Sequence, residues 1–302
     1  MKYETWLMEW LNVYVKSTIK ERTYEKYVCQ VRNHILPKLG ERQLTELSLP
    51  ILQEFITELS ERGSAPNTVN GILSIVKSSL KKAVLIGKIE KEYASYVSPP
   101  RAREKRVECF NKSEQKQLER YIVFSGKHHL YGVVLCLYTG LRIGELLALE
   151  WSDVDLQKGV IYVNKSCHDH WEHGTYVKII DTPKTNSSLR VIPIAKPIKE
   201  GLKRLKKYSV GKYVIGNQPH GAEVRCYQRT FQTLLARLNL PPRGFHSLRH
   251  TFATRALECG MDVQTLSELL GHQNAAVTLK RYAHSMLEHK IEMMNRLGKL
   301  FG

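Results

Sequence analysis

Three short segments in the second half of the chain carry side chains able to handle a phosphate. The first is Thr139-Gly140-Leu141-Arg142-Ile143-Gly144-Glu145-Leu146, with an arginine at the mouth of a helix just after a glycine turn. The second is His246-Ser247-Leu248-Arg249-His250-Thr251-Phe252-Ala253-Thr254, in which His246 and Arg249 lie three apart and share a helix face. The third is Leu269-Leu270-Gly271-His272, with Tyr282 ten residues beyond the histidine. Two arginines and two histidines supply donors for the non-bridging oxygens of a phosphate, and the planar fork of arginine matches that geometry best. Tyr282 supplies a nucleophilic oxygen. A phosphodiester under attack gathers negative charge, which preorganised cations stabilise. A covalent phosphotyrosine would conserve the bond energy for a later rejoining step. The sequence shows no carboxylate pair, phosphate-binding glycine loop or metal-ligand cluster beside these segments, so the expected scheme uses no metal and no cofactor.

These residues need elements to position them. In the second half, Ser113 is expected to cap a helix, another helix spans about Leu130 to Tyr138, and a third runs from Ile143 to Trp151. Strand signals occur at Val160–Val163, Tyr176–Ile180 and Leu189–Ile194, and from Val224 the pattern is helical nearly to the end. The first 90 residues read as four helices with short turns. One carries Trp6, Leu7, Trp10, Leu11 and Tyr14, and a second starts at Thr23 as N-cap and is ended by Pro37 and Gly40. A third starts at Ser48-Leu49-Pro50 and stops at Gly63, and a fourth opens at residues 64–67 and ends near Gly87. The expected fold is mostly α with a small β-sheet or hairpin, in two domains. A helical bundle occupies 1–95, a basic Pro-interrupted linker 96–106, and an α+β domain 107–302, with an amphipathic tail at 284–302 that packs on its own domain or docks on a neighbour.

Composition agrees with an acidic polymer as partner. The 302 residues carry a formal net charge of +17. The first 100 residues hold 14 Lys/Arg against 11 Asp/Glu, and the remainder 32 against 18, so the excess sits in the second half. Such a surplus favours nucleic acid, which binds basic faces by counterion release. Hydrophobic residues at 42% and charged residues at 25% are ordinary for a globular protein and exclude wholesale disorder. No apolar run approaches the roughly 18 to 20 residues that span a bilayer, and the N-terminus lacks the apolar core of a signal peptide. The expected setting is cytoplasmic, without a membrane. The six scattered cysteines form no C-x-x-C pair and are expected to be reduced thiols.

The motifs T-G-L-R-x-G-E-L, H-x-L-R-H-T-F-A-T and L-L-G-H with a tyrosine ten residues on resemble those of the tyrosine recombinases, or phage integrase family. The resemblance covers nearly the whole chain. It implies a SAM-like core-binding domain followed by a catalytic domain. It also implies a bacterial, nucleoid-associated enzyme that cleaves and rejoins double-stranded DNA through a 3′-phosphotyrosine. Arg142 and Arg249 would clamp the phosphate, His246 would be the general acid/base, His272 would hydrogen-bond the phosphate and Tyr282 would attack. The family's hairpin-turn lysine falls on Lys184, with Lys178 and Lys196 nearby. Glu145 matches a supporting acidic position, and His250 is expected to support its helix. DNA contacts in the first domain would come from the helices after Thr23 and Asn67, through Thr23, Asn67, Thr68, Lys77, Lys81 and Lys82.

The turn and strand from Thr182 to Pro193 look like those of mobile-element integrases of Gram-positive bacteria. The sequence opens at the core-binding helices, so either a simple recombinase without the arm-binding domain of many such integrases or a form truncated of that domain is expected. The resemblance also implies a homotetramer on two DNA sites, linked by exchange of the C-terminal tail, and accessory DNA-bending or directionality proteins. Integration and excision of a mobile element is the leading task. Dimer resolution and a topoisomerase-like relaxing activity share the chemistry, and an inactive DNA-binding accessory protein is the reading of another class. Replacing Arg142 or Arg249 is expected to slow cleavage with little change in fold. The stretch Cys167-His168-Asp169-His170-Trp171-Glu172-His173 invites a metal reading, but it falls between two strand signals, where an exposed extension of the hairpin is expected, and no metal site is assigned.

Overall fold

The computed structural model describes residues 1–100, 108–172, 175–181, 189–216 and 221–272, with positions 291, 294, 295 and 297–299 beyond them. The chain divides into two compact units, Met1–Lys105 and Arg106–Gly302.

In the first unit, helix α1 (Tyr3–Glu9) continues as a wider coil over Trp10–Val15, where Lys16 N–H reaches back five residues to Leu11 O at 3.0 Å. Helix α2 (Glu21–Gln30) widens in the same way over Val31–Ile35 before the short α3 (Leu36–Leu39). Pro37 therefore lies inside the helical path and does not end it. A proline ring collides with the carbonyl four residues earlier, and the wide turn just before it moves that carbonyl aside. Thr23 is not the cap either. Lys20 holds the cap position, with no side-chain bond, and Thr23 N–H donates to Lys20 O at 2.8 Å. Helices α4 (Leu49–Glu61) and α5 (Pro66–Leu85) carry a proline in the first turn, Pro50 and Pro66, and stop just before Gly63 and Gly87, both at positive φ. Trp6, Leu7, Ile35, Leu52, Ile56, Ile72 and Ile75 fill the core. Inside it Trp6 Nε1 donates to Ser79 O at 3.0 Å, and the Tyr3 hydroxyl pairs with Ser79 Oγ at 2.8 Å.

The second unit is built around α7 (Tyr131–Thr139), which is apolar on nearly every face and buried accordingly. Helix α6 (Lys112–Phe124) precedes it. Its cap is Asn111, two residues before the expected Ser113, because Asn111 and Glu114 satisfy each other's backbone N–H groups at 2.8 Å in both directions. Helix α8 (Ile143–Ala148) ends three residues short of Trp151, as Leu149 turns extended. Strands β1 (Val154–Asp155), β2 (Val160–Val163) and β5 (Arg190–Pro193) form an antiparallel sheet in the order β1-β2-β5, with Val163 opposite Arg190. Strands β3 (Ser166–Glu172) and β4 (Thr175–Asp181) form a separate ribbon, with Ser166 opposite Asp181. Residues 167–172 of the stretch expected as an exposed extension are thus part of strand β3, and His173 lies outside the described residues. Cys167 and Asp169 lie two apart and so share one face of the strand. Cys167 is buried, and Asp169 accepts from Val224 N–H at 2.9 Å and Arg225 N–H at 2.8 Å. Among the described residues no three His, Cys, Asp or Glu side chains gather as a metal site. All six cysteines are free thiols.

Helices α9 (Lys196–Lys207), α10 (Val224–Arg237), α11 (His246–Glu258) and α12 (Val263–Leu270) complete the unit. Among the described residues no helix is long and apolar enough to cross a membrane. Most of the tail 284–302 falls outside the described residues.

Candidate active site

The site begins with a helix end. Helix α7 stops at Gly140, whose φ of +65° is strained for any residue with a side chain. A Cβ there would meet the Phe252 ring at 2.5 Å. This tight turn delivers Arg142 to the cap position of α8, where its own N–H donates to Glu145 Oε2 at 2.8 Å. Gly144 lets β3 pass close by, since a Cβ would collide with Cys167 O. Helix α12 ends in the same manner at Gly271, also at φ +65°, and His272 follows.

Arginines stitch these ends together. Arg249, in the first turn of α11, is 2% exposed. Its Nη1 donates to Gly140 O at 2.8 Å and its Nη2 to Leu270 O at 2.6 Å. It thus neutralises the carbonyl ends of two helices, where a cation is favoured. Arg142 Nη1 donates to Glu145 Oε1 at 2.8 Å, and Nη2 lies 3.4 Å from Gly271 O. Arg142, Arg249 and the Leu270–Gly271 turn that precedes His272 therefore converge where α7 and α12 end and α8 begins. His246, the first residue of α11, is exposed and meets the His250 ring edge-on at 4.5 Å.

Sequence reasoning missed Arg190. Its side chain is 5% exposed and grips Glu145 with both terminal nitrogens, Nη1 to Oε1 at 3.0 Å and Nη2 to Oε2 at 2.8 Å. Its Nε donates to Leu269 O at 2.6 Å. The available signal was an arginine in phase with apolar Ile192 on a strand, an inward position that a charge occupies only with a partner. Burial alone would raise the pKa of Glu145. The bonds and charge of Arg190, with the charge of Arg142 and its backbone N–H, outweigh that and hold it near 2.

Lys184 and Tyr282 lie outside the described residues. Lys178 is engaged elsewhere, donating to Leu147 O at 2.7 Å and lying 4.0 Å from the centre of the Tyr213 ring. Burial lowers its pKa, assisted by Lys212. In the first unit, Asn67 and Lys81 on α5 are exposed, while Thr68, Lys77 and, on α2, Thr23 are half-buried. Lys82 sets its ammonium 4.5 Å from the centre of the Tyr14 ring.

A helical unit followed by an α+β unit, with buried arginines joined to helix ends, defines the architecture of a tyrosine-type site-specific recombinase. Residues 110–289 match the phage integrase family and residues 2–60 match the N-terminal SAM-like domain of phage integrases, so the chain belongs to the phage integrase family. It is 28% identical to a protein named tyrosine recombinase XerC-like from Caldanaerobacter subterraneus subsp. tengcongensis, over 98% of this chain and 82% of that one. It is 26% identical to the transposase from transposon Tn916 of Enterococcus faecalis, over 87% of this chain and 69% of that one. Its fold is that of the Tn1549 transposon integrase (residues 82–397, R225K) solved in complex with a circular intermediate DNA. That likeness has a TM-score of 0.83 at 23% identity and covers 98% of this chain and 99% of the other.

Proposed function

We propose that this chain cuts and rejoins double-stranded DNA through Tyr282. The tyrosine oxygen attacks a phosphodiester, a 3′-phosphotyrosyl bond forms and the bond to the 5′-oxygen breaks. That oxygen leaves as a hydroxyl after taking a proton from Lys184. Arg142 and Arg249 balance the charge that builds on the phosphate, His272 donates to it, and His246 takes the tyrosine proton and later returns it. The reverse attack by a 5′-hydroxyl of another strand completes the exchange. The observation that carries this reading is the convergence of Arg142, Arg249 and the His272 turn at the ends of α7, α8 and α12.

Exchange between two duplexes breaks four strands. With one Tyr282 per protomer, four copies are needed, and a tetramer on two DNA sites is part of the proposal. The physiological task proposed is integration and excision of a mobile element, supported by the likeness to a transposon's transposase. Dimer resolution, which uses the same chemistry, is the second reading. Core-site contacts are proposed for Thr23, Asn67, Thr68, Lys77, Lys81 and Lys82.

The test is covalent trapping on nicked suicide DNA drawn from sequences flanking the gene, without added metal. Wild type should give a denaturation-resistant adduct, and Tyr282→Phe should bind the DNA but give none. An adduct in the Phe variant would assign the nucleophile to another tyrosine. Bound DNA with no adduct in wild type would favour a DNA-binding accessory protein.

A further inference from the structure

We infer that Arg190 is a positioning residue of this site, which sets Arg142 through Glu145 and sets the His272 turn through the carbonyl of Leu269. The inference rests on the reading of Arg142 and His272 as phosphate-binding groups. The contacts form a closed circuit. From β5, Arg190 makes a two-pronged pair with Glu145 on α8 and donates to Leu269 on α12. Glu145 passes the constraint to Arg142 through both carboxylate oxygens, one to the guanidinium and one to the backbone N–H. Arg142 then reaches back to Gly271. Three elements far apart in sequence are thus joined through one carboxylate and the two arginines that hold it.

The geometry demands arginine. Three donors of one planar fork serve three acceptors in fixed directions, which the single ammonium of lysine cannot do. The burial demands it as well. The side chain of Arg142 is 37% exposed, so without an anchored Glu145 it is free to turn toward solvent. Glu145 is 6% exposed. Stripped of Arg190 it would be a buried carboxylate with one cation, and protonation would then loosen its hold on Arg142. Among the described residues, the charged groups facing it are Arg142 at the start of α8 and Arg190 on β5, with the buried Cys136 thiol on α7 in electrostatic reach. That thiol is pushed up by burial and by Glu145 and stays neutral.

The experiment compares wild type, Arg190→Met, Arg190→Lys, Glu145→Gln and the double variant Arg190→Met/Glu145→Gln. Single-turnover cleavage of suicide DNA is followed against pH, DNA affinity is measured separately, and the Glu145 carboxyl is titrated by its ¹³C shift. Arg190→Met should cleave on the order of 10²-fold more slowly, the scale of a small misplacement of a catalytic group. Its DNA affinity should change less than about twofold, since the interaction lost acts on the reacting phosphate and not on binding. The acid limb of its rate profile and the Glu145 titration should both move to higher pH. Arg190→Lys should keep Glu145 ionised and recover only part of the rate. The double variant should be no slower than the slower single change, because both remove one linkage.

Unchanged cleavage in Arg190→Met, an unmoved Glu145 titration or multiplying losses in the double variant would overturn the inference. Should Arg190→Met fail to fold, Arg190→Lys decides, and a wild-type rate in it sinks the idea. If wild type cuts no DNA the recombinase reading fails, while the Glu145 titration still tests the Arg190 linkage.

Discussion

A single buried carboxylate, Glu145, holds two arginines at once. Burial raises its pKa, but the Arg190 pair, with Arg142, overcomes this and brings it from 4.5 to about 2. A depressed carboxylate stabilises the fold above its unfolded pKa and loses that stabilisation as pH falls toward its folded pKa. The difference corresponds to on the order of 3 kcal/mol, lost between about pH 4.5 and 2. Glu145→Gln should therefore be less stable than wild type at neutral pH and should lose less further stability across that window, as read by chemical denaturation at stepped pH. Equal pH slopes in the two proteins would contradict the assignment. Arg249 corrects the expectation that both arginines can be removed with little change in fold. Its guanidinium is buried against two carbonyls, and Arg249→Ala leaves both without that donor, at about 1–3 kcal/mol for each. Arg142→Ala, at a half-exposed position, should cost less stability while also abolishing cleavage. Denaturation midpoints of the two variants check the order.

Helix ends decide where the site lies. The stops at Gly63, Gly87 and Gly140 are legible in the sequence, because glycine is the residue that turns to positive φ without strain, whereas the stop at Gly271 lies within a pattern that reads as helical nearly to the end. The starts are less legible. Thr23 and Ser113 are good capping types, yet the caps fall on Lys20 and Asn111. The start of α10 is held from outside its own sequence, by Asp169 on the β3–β4 ribbon accepting from Val224 and Arg225 N–H. Arg225 also sits 4.0 Å from the centre of the Tyr176 ring of the same ribbon. Asp169→Ala should cost about 1 kcal/mol through the lost cap and helix-dipole contact. Amide exchange in the first turn of α10 should accelerate, while that of α7 should not. Fast exchange throughout would point to a general loss of packing instead.

For the whole molecule, a net charge of +17 sets the terms of binding to a polyanion. DNA affinity should fall steeply with salt. With six to ten phosphate contacts, the loss from 50 to 200 mM would be about 10³- to 10⁵-fold. A flat salt response, measured by fluorescence anisotropy on a fixed duplex, would remove nucleic-acid binding from the proposal. Because most of the surplus lies beyond residue 100, charge reversals in the second half should lower the slope more than the same number in the first.

The sequence by itself determined the family and the two-part helical and α+β organisation, and it singled out Arg142, Glu145, His246, Arg249 and His272 as the residues proposed for the site. Short-range spacing carries that information, since glycine turns and helical periodicity act within a few residues. Tertiary structure decided what those residues touch. It buried Arg249 against Gly140 and Leu270, made the Cys167 stretch a strand whose Asp169 caps a distant helix, and brought Arg190 onto Glu145 across 45 positions. None of these follows from local pattern. A buried charge is stable only beside a partner, and that partner is chosen by how strands and helices pack, not by its distance along the chain.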